Sequence, residues 1–242
     1  MSTRTWAPPD QPEPSAILKS AEDDTRNGEY ATALAKFLWF HYNAVRYKRT
    51  LYGFRLSFAQ RSWRELSSLY PPALVALMET RDDAEQVYLA SPANRNLFQD
   101  AAALNHTLAA DSRTVELFER VTQTSFESAK AVYLSAERHL IRAGRYELCS
   151  PFLQPEKRLF GYSESYRLIK EREDAEPEVN IALLSCAKSY FVRSVATLIA
   201  LLALNGRKDE AMDVIKRSLD IVDDNEVREA MEAALSGHFP ER

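Results

Sequence analysis

The segment that most constrains the fold is residues 21–40, AEDDTRNGEYATALAKFLWF. A polar helix ends at Gly28 and a second helix begins at Tyr30, so the turn between them is too short for anything but an antiparallel pair. The second helix repeats apolar residues at i, i+3 and i+4, which buries one face. On that face Ala33 permits close helix crossing and Phe37 is expected in the core. The segment therefore predicts a helical hairpin on which further helices stack.

The rest of the chain predicts an all-α fold, which we expect to be an irregular α-solenoid, a stack of helical hairpins. Only 6 of 242 residues are glycine, and few stretches alternate apolar and polar residues as strands do. The prolines of MSTRTWAPPDQPEP predict a disordered lead-in over residues 1–14, with no signal peptide and with Ser15 as the first helix N-cap. One all-helical domain is predicted over residues 15–236, followed by a frayed tail over 237–242.

Charge and cysteine content indicate a soluble cytoplasmic protein. The formal net charge is −4, which does not favour bulk nucleic-acid binding. Cys149 and Cys186 fit neither a disulfide framework nor a zinc site, so we expect two reduced, buried thiols and neither metal nor cofactor. Serine, lysine and arginine residues interrupt the most apolar window, 181–204, which predicts a buried helix and no membrane contact.

Proline and polar residues mark the ends of further helices. Tyr70 and the two prolines after it are expected to end a continuous helix over residues 50–69. Residues 81–83 are a possible polar break in the helix that follows, and Ser91 is expected to cap the next one. Pro177 is expected to begin the long apolar helix that ends at Asn205.

Three turns along the chain share one pattern. The pattern has glycine at the turn and a small residue five positions later, and most copies also have an aromatic residue two positions after the glycine. Its members are Gly28, Tyr30 and Ala33, then Gly144, Tyr146 and Cys149, then Gly206 and Ala211. A degenerate copy centres on Ala109, which lies 35 residues before Gly144. The pattern resembles the turn of the tetratricopeptide repeat, whose period is about 34 residues. Uneven spacing elsewhere makes the resemblance irregular, and such turns also occur wherever helices reverse.

The resemblance implies a non-enzymatic protein that binds another protein or peptide on the surface formed by the first helices of each pair. An adaptor or regulatory role is expected, and neutralisation of a toxin or effector (an immunity function) is one form of it. Carried over by position, the partner-binding residues are Glu22, Arg26, Asn96, Gln99, His106, Arg138 and Arg142. The other interpretation of each is an ordinary solvated helix residue.

A second candidate surface is a basic cluster interleaved with Tyr47, Tyr52 and Trp63. Its members are Arg46, Lys48, Arg49, Arg55, Arg61 and Arg64. Cations with aromatic rings suit nucleic acid or an acidic protein surface, although a solvated face with its rings turned to the core fits the same spacing. Because residues 207–232 are acidic, head-to-tail association into a homo-oligomer is also open.

Catalytic motifs are absent from the sequence, so we do not expect an enzyme. Two alternatives from other classes stay open. One is an enzyme on a helical scaffold, with groups such as Glu137, His106 and Asn105 meeting in a polar cavity; the other is nucleic-acid binding through the basic cluster. An enclosed pocket that joins two or more perturbed ionisable groups would favour the first, and an open groove of solvated side chains would contradict it.

Overall fold

The computed structural model describes residues 6–175 and 177–240, and the side chains of residues 173–182 fall outside that description. The described chain contains no strand, which confirms the all-α fold. Its α-helices are α1 (Pro14–Asn27), α2 (Tyr30–Tyr47), α3 (Tyr52–Arg55), α4 (Phe58–Leu69), α5 (Pro71–Ala90), α6 (Arg95–Thr107), α7 (Asp111–Thr124), α8 (Phe126–Arg142), α9 (Pro155–Ala175), α10 (Pro177–Leu204), α11 (Lys208–Leu219) and α12 (Asn225–Leu235). Short 3₁₀ helices cover Arg49–Leu51, Tyr146–Leu148 and Ser150–Phe152.

Backbone contacts divide the chain into two compact units, Met1–His139 and Leu140–Arg242, where one domain was predicted over residues 15–236. In the first unit α2 packs on α1 and α4, and α5 packs on α4 and α6. Phe37 stacks on Trp63 with ring centroids 6.5 Å apart, and both side chains are buried. The predicted first hairpin is therefore confirmed, and its second helix supplies the centre of this core.

The second unit is built around α10, which packs on α9, α11 and α12. Phe191, Val195 and Leu198 on α10 are fully buried. By length and composition alone, the segment Leu183–Leu204 would suffice to cross a membrane, but half of it is buried inside the protein. A core helix meets the same criterion, so the segment is weak evidence for a membrane span.

The predicted turns share one backbone geometry. Gly28, Gly144 and Gly206 have φ of 82°, 69° and 74°, and Ala109 adopts the same left-handed conformation at 55°. At each turn the next residue donates its N–H to the carbonyl five positions back, as Glu29 does to Asp24 at 2.9 Å. The residues five positions after the turns are all fully buried: Ala33, Thr114, Cys149 and Ala211. The turn predictions are confirmed, whereas the wider tetratricopeptide resemblance stays a prediction.

Two further predictions differ at the chain ends. Glu13, and not Ser15, caps α1, because its carboxylate accepts the Ala16 N–H at 2.6 Å and Pro14 occupies the first helical position. Residues 237–240, predicted to fray, close α12 with the same turn: His238 donates its N–H to the Ala233 carbonyl at 3.0 Å. Residues 1–5 and 241–242 lie outside the described chain.

Several predicted helix boundaries and one predicted burial are wrong. The helix over 50–69 is interrupted at Ser57, where the backbone leaves the helical region and the hydroxyl donates to the Gly53 carbonyl at 2.8 Å. The α5 helix runs without a break through 81–83, and Asn94 replaces Ser91 as the cap of α6. Cys149 is buried as expected, but Cys186 is exposed.

Candidate functional site

The first unit contains a cavity of about 490 Å³ lined by residues of α2, α3, α5 and α6 and the turn before α6. We call it the Arg55 cavity, after the buried arginine that helps to line it. His41 and Tyr42 come from α2, Tyr52 and Arg55 from α3, Asp83 from α5 and Asp100 from α6. Four helices thus place charged, aromatic and polar side chains around one cavity.

Arg55 holds the centre of this site through contacts to two other helices. Its Nη2 donates to Asp100 Oδ1 at 2.5 Å, and its Nη1 lies 3.3 Å from His41 Nε2 and 3.4 Å from the His41 carbonyl oxygen. Arg55, His41 and Asp100 are each more than nine-tenths buried. The guanidinium also lies 5.3 Å from the centroid of the Tyr52 ring. A buried charge needs such partners, since desolvation of an unpaired ion is costly.

Burial shifts the ionisation of the surrounding groups. Burial, and to a smaller extent the Arg55 charge, lower the pKa of His41 to about 3. Burial raises the pKa of Asp100 although Arg55 opposes that shift. It also raises the pKa of Tyr52 to about 12, with the Asp100 charge adding to the effect. At neutral pH the imidazole and the phenol are therefore uncharged, and the Tyr52 hydroxyl donates to Gln99 Oε1 at 2.7 Å.

Sequence reasoning missed His41 and Asp100 as site residues. Each lies among buried apolar residues of its own helix: His41 follows Phe40 on α2, and Asp100 precedes Ala101 on α6. A polar residue on the buried face of an amphipathic helix is the one signal that could have marked them. Their pairing with Arg55 spans 14 and 45 positions, which no local pattern reveals.

Two of the predicted partner-binding residues, Glu22 and Arg26, line a second cavity of about 430 Å³, which we call the Phe54 cavity. Its apolar lining consists of Leu18, Phe40, Leu51 and Phe54. Glu22 accepts a hydrogen bond from the Ser62 hydroxyl at 2.8 Å, and Arg26 forms an ion pair with Asp23. The structure therefore brings Glu22 and Arg26 together beside an apolar recess.

The remaining predicted partner-binding residues lie at separate places. Asn96 lines the Arg55 cavity, and Gln99 bonds to Tyr52 beside it. His106 lies on the surface with its Nδ1 3.2 Å from Asp111 Oδ1. Arg138 and Arg142 are exposed on α8. Asn96 and Gln99 thus border the Arg55 cavity, whereas His106, Arg138 and Arg142 lie on the surface.

The basic cluster divides into an inward and an outward part. Arg55 departs from the predicted cluster because it is buried against Asp100. Trp63 is 1% exposed, so this ring faces the core as the alternative interpretation expected. The cluster members on the surface are Arg46, Lys48, Arg49, Arg61 and Arg64. Without Arg55 and Trp63 the cluster loses part of the cation–aromatic pattern that nucleic-acid binding was expected to use.

The groups named for the enzyme alternative have different surroundings. Asn105 is fully buried, where its Nδ2 donates to Glu85 Oε1 at 3.0 Å and Thr114 Oγ1 at 3.3 Å. His106, in contrast, is exposed beside Asp111. Within the described residues, no group of three His, Cys, Asp or Glu side chains is arranged to hold a metal ion. The ionisable groups with strongly shifted pKa values lie instead in the Arg55 cavity.

Comparison of the chain with protein-family models, with curated proteins and with solved structures finds no match.

Proposed function

We propose that this protein is a non-enzymatic binding protein, in an adaptor or regulatory role, that holds another protein or peptide at the Phe54 cavity. The supporting observation is a pair of stacked phenylalanines left on the surface. Phe54 and Phe58 have ring centroids 5.0 Å apart and are 41% and 52% exposed. Exposed aromatic rings beside an apolar recess are typical of protein-interaction sites, where such rings contribute much of the affinity.

Charge around the recess indicates the chemistry of the partner. Lys19 and Arg26 line the cavity, and the Arg61 guanidinium lies 4.9 Å from the Phe58 ring centroid. Glu22 is the one carboxylate in the cavity lining. A segment that carries acidic residues beside apolar ones would satisfy both the rings and the cations. The proposed partner is therefore an acidic amphipathic segment of another protein.

Affinity capture from the native lysate tests the proposal when it is run with matched variants. In the Phe54→Ala/Phe58→Ala double variant we expect loss of a partner that the unchanged protein captures. Phe160→Ala is the control, since Phe160 is 66% exposed in the other unit. Removal of both rings should weaken binding by more than tenfold if each contributes about 1–2 kcal/mol. Equal capture by the double variant and the control would overturn the proposal.

The captured partner also decides the subtype. A toxin or effector, inactivated on binding, would place the protein among neutralising partners. We expect replacement of Arg26 and Arg61 by Glu to weaken binding of the acidic partner. If the bound segment is basic, the same replacement would strengthen binding, and that result would contradict the proposed charge complementarity.

A further inference from the structure

The Arg55 cavity is separate from the Phe54 cavity, although residues of α3 line both. The groups that it offers to a ligand differ from those of an anion-binding site. The Arg55 guanidinium is already engaged by protein groups: Nη2 donates to Asp100, Nη1 contacts His41, and Nε is enclosed by protein atoms without a partner. The His41 imidazole is turned toward the same guanidinium. A phosphate or carboxylate in this cavity would therefore have to compete with Asp100 for Arg55.

The cavity does offer carboxylates. Asp100 Oδ1 accepts from Arg55, and no described residue donates a hydrogen bond to its other carboxylate oxygen. Asp83 is exposed and lines the same space from α5. One guanidinium thus faces two carboxylates, so the lining carries a formal charge of −1 with His41 neutral. This net negative charge favours a cation at the mouth of the cavity and an uncharged or cationic group deeper inside it.

The walls of the cavity suit a cation on an apolar stem. Tyr42 is 54% exposed, and its hydroxyl donates to Thr80 Oγ1 at 3.4 Å. The Tyr52 ring lies against the Arg55 guanidinium. Aromatic faces attract cations, the more so when water is partly excluded. The apolar part of the lining is Val45, Ala84, Val87 and Leu97, and the amides Asn94 and Asn96 complete it. Methylene groups pack well against such a surface while their charged end meets a carboxylate.

We propose that the Arg55 cavity binds an alkyl cation, an ammonium or guanidinium group on a methylene stem. Asp83 receives the charge, the Tyr42 ring covers it, and the apolar side chains of α2, α5 and α6 hold the stem. The same chemistry is found in free aliphatic amines and in the lysine and arginine side chains of proteins, and the experiment distinguishes these two sources.

The test measures binding of four probes to the full chain by ligand-observed NMR. N-acetyl-lysine amide carries the cation, N-acetyl-norleucine amide has a similar stem without charge, N-acetyl-glutamate carries the opposite charge, and butylammonium represents a free amine. We expect the lysine probe to bind at least about fivefold more tightly than the norleucine probe, given the usual strengths of cation–π and surface ion-pair contacts. Equal binding of these two, tighter binding of the glutamate probe, or no binding of any probe at about 10 mM (a standard free energy near −3 kcal/mol) would overturn the proposal.

Single substitutions then locate the site. Asp83→Asn and Tyr42→Leu should each weaken the lysine probe about two- to fivefold. Both residues are exposed, so the variants are expected to fold, which circular dichroism checks. Glu65→Gln removes an exposed carboxylate on α4 and should leave binding unchanged. Unchanged binding in both cavity variants would overturn the assignment even if the lysine probe binds elsewhere.

The source of the cation follows from these titrations together with one of a lysine-containing peptide. Equal affinity for butylammonium and for N-acetyl-lysine amide supports a free amine. A lysine peptide that binds more tightly than either supports a side chain of a protein partner. Because these variants leave Phe54 and Phe58 intact, failure of the cavity proposal is distinguishable from failure of the proposed protein-binding surface.

Discussion

The contact between Arg55 and Asp100 leads to an asymmetric prediction about stability. Replacement of Asp100 by Ala leaves a guanidinium buried without its carboxylate, and we expect the free energy of unfolding to fall by about 3–5 kcal/mol. Arg55 cannot escape this penalty by losing its proton. Its remaining contacts are to His41 and to the Tyr52 ring, and neither carries a negative charge.

The opposite substitution, Arg55→Met, is expected to destabilise the protein less, by a difference of about 1 kcal/mol or more. Burial already raises the pKa of Asp100, so the orphaned carboxyl can take up a proton. A raised pKa makes the folded state bind the proton more tightly than the unfolded state does. The Arg55→Met variant should therefore gain stability as the pH is lowered toward the pKa of Asp100 and lose it as the pH rises.

Urea unfolding, followed by circular dichroism, measures both substitutions and their combination at constant pH. The double variant should recover most of the loss, because neither buried charge is left unpaired, and a double-mutant cycle gives the coupling energy. The control cycle uses Arg167 and Glu164 on α9, whose side chains are 57% and 37% exposed. There we expect a coupling of about 0–0.5 kcal/mol. The reasoning is refuted if Asp100→Ala costs no more than Glu164→Ala, or if Arg55→Met costs more than Asp100→Ala.

Three further predictions concern titration, a buried lysine and one turn. The pKa of His41 is lowered from 6.5 to about 3. The stability that the neutral imidazole permits is therefore complete above pH 6.5, and it falls by about 1.4 kcal/mol for each pH unit between pH 6.5 and about pH 3. Urea titrations of a His41→Gln variant should lack this component of the acid slope. Lys36 Nζ lies 2.6 Å from Asp24 Oδ2, and only 10% and 18% of the two side chains are exposed. Asp24→Ala should therefore lower the free energy of unfolding by about 3 kcal/mol, and a loss below about 1 kcal/mol would contradict a buried pair. Ala109 and Gly144 both have left-handed backbones, with φ of 55° and 69°. In thermal unfolding, Ala109→Gly should stabilise the folded protein by about 0.5 kcal/mol, whereas Gly144→Ala should destabilise it by about 1 kcal/mol. Effects of the same sign would be inconsistent with two equivalent left-handed turns.

Much of the local structure could be predicted because its causes are local. Gly28 ends α1 in the left-handed region, and the hydrogen bonds that require this conformation join residues at most five positions apart. The two prolines after Tyr70 separate α4 from α5 for an equally local reason. The interruption at Ser57 was missed because a serine hydroxyl can bond to a carbonyl within a helix without breaking it, and packing decides which occurs.

The candidate sites were decided by the tertiary structure. Arg55 and Arg61 read alike in the sequence, as cations in one basic segment, yet Arg55 is buried against Asp100 and Arg61 lies on the surface over Phe58. The difference depends on which faces of α3 and α4 the neighbouring helices cover, and that is set by contacts between residues as many as 47 positions apart. The sequence by itself determined the helices and their turns, since hydrogen bonds between near neighbours suffice for them. Only tertiary packing decided which charges are buried and which rings stay exposed, because those outcomes require surfaces that distant segments bring together.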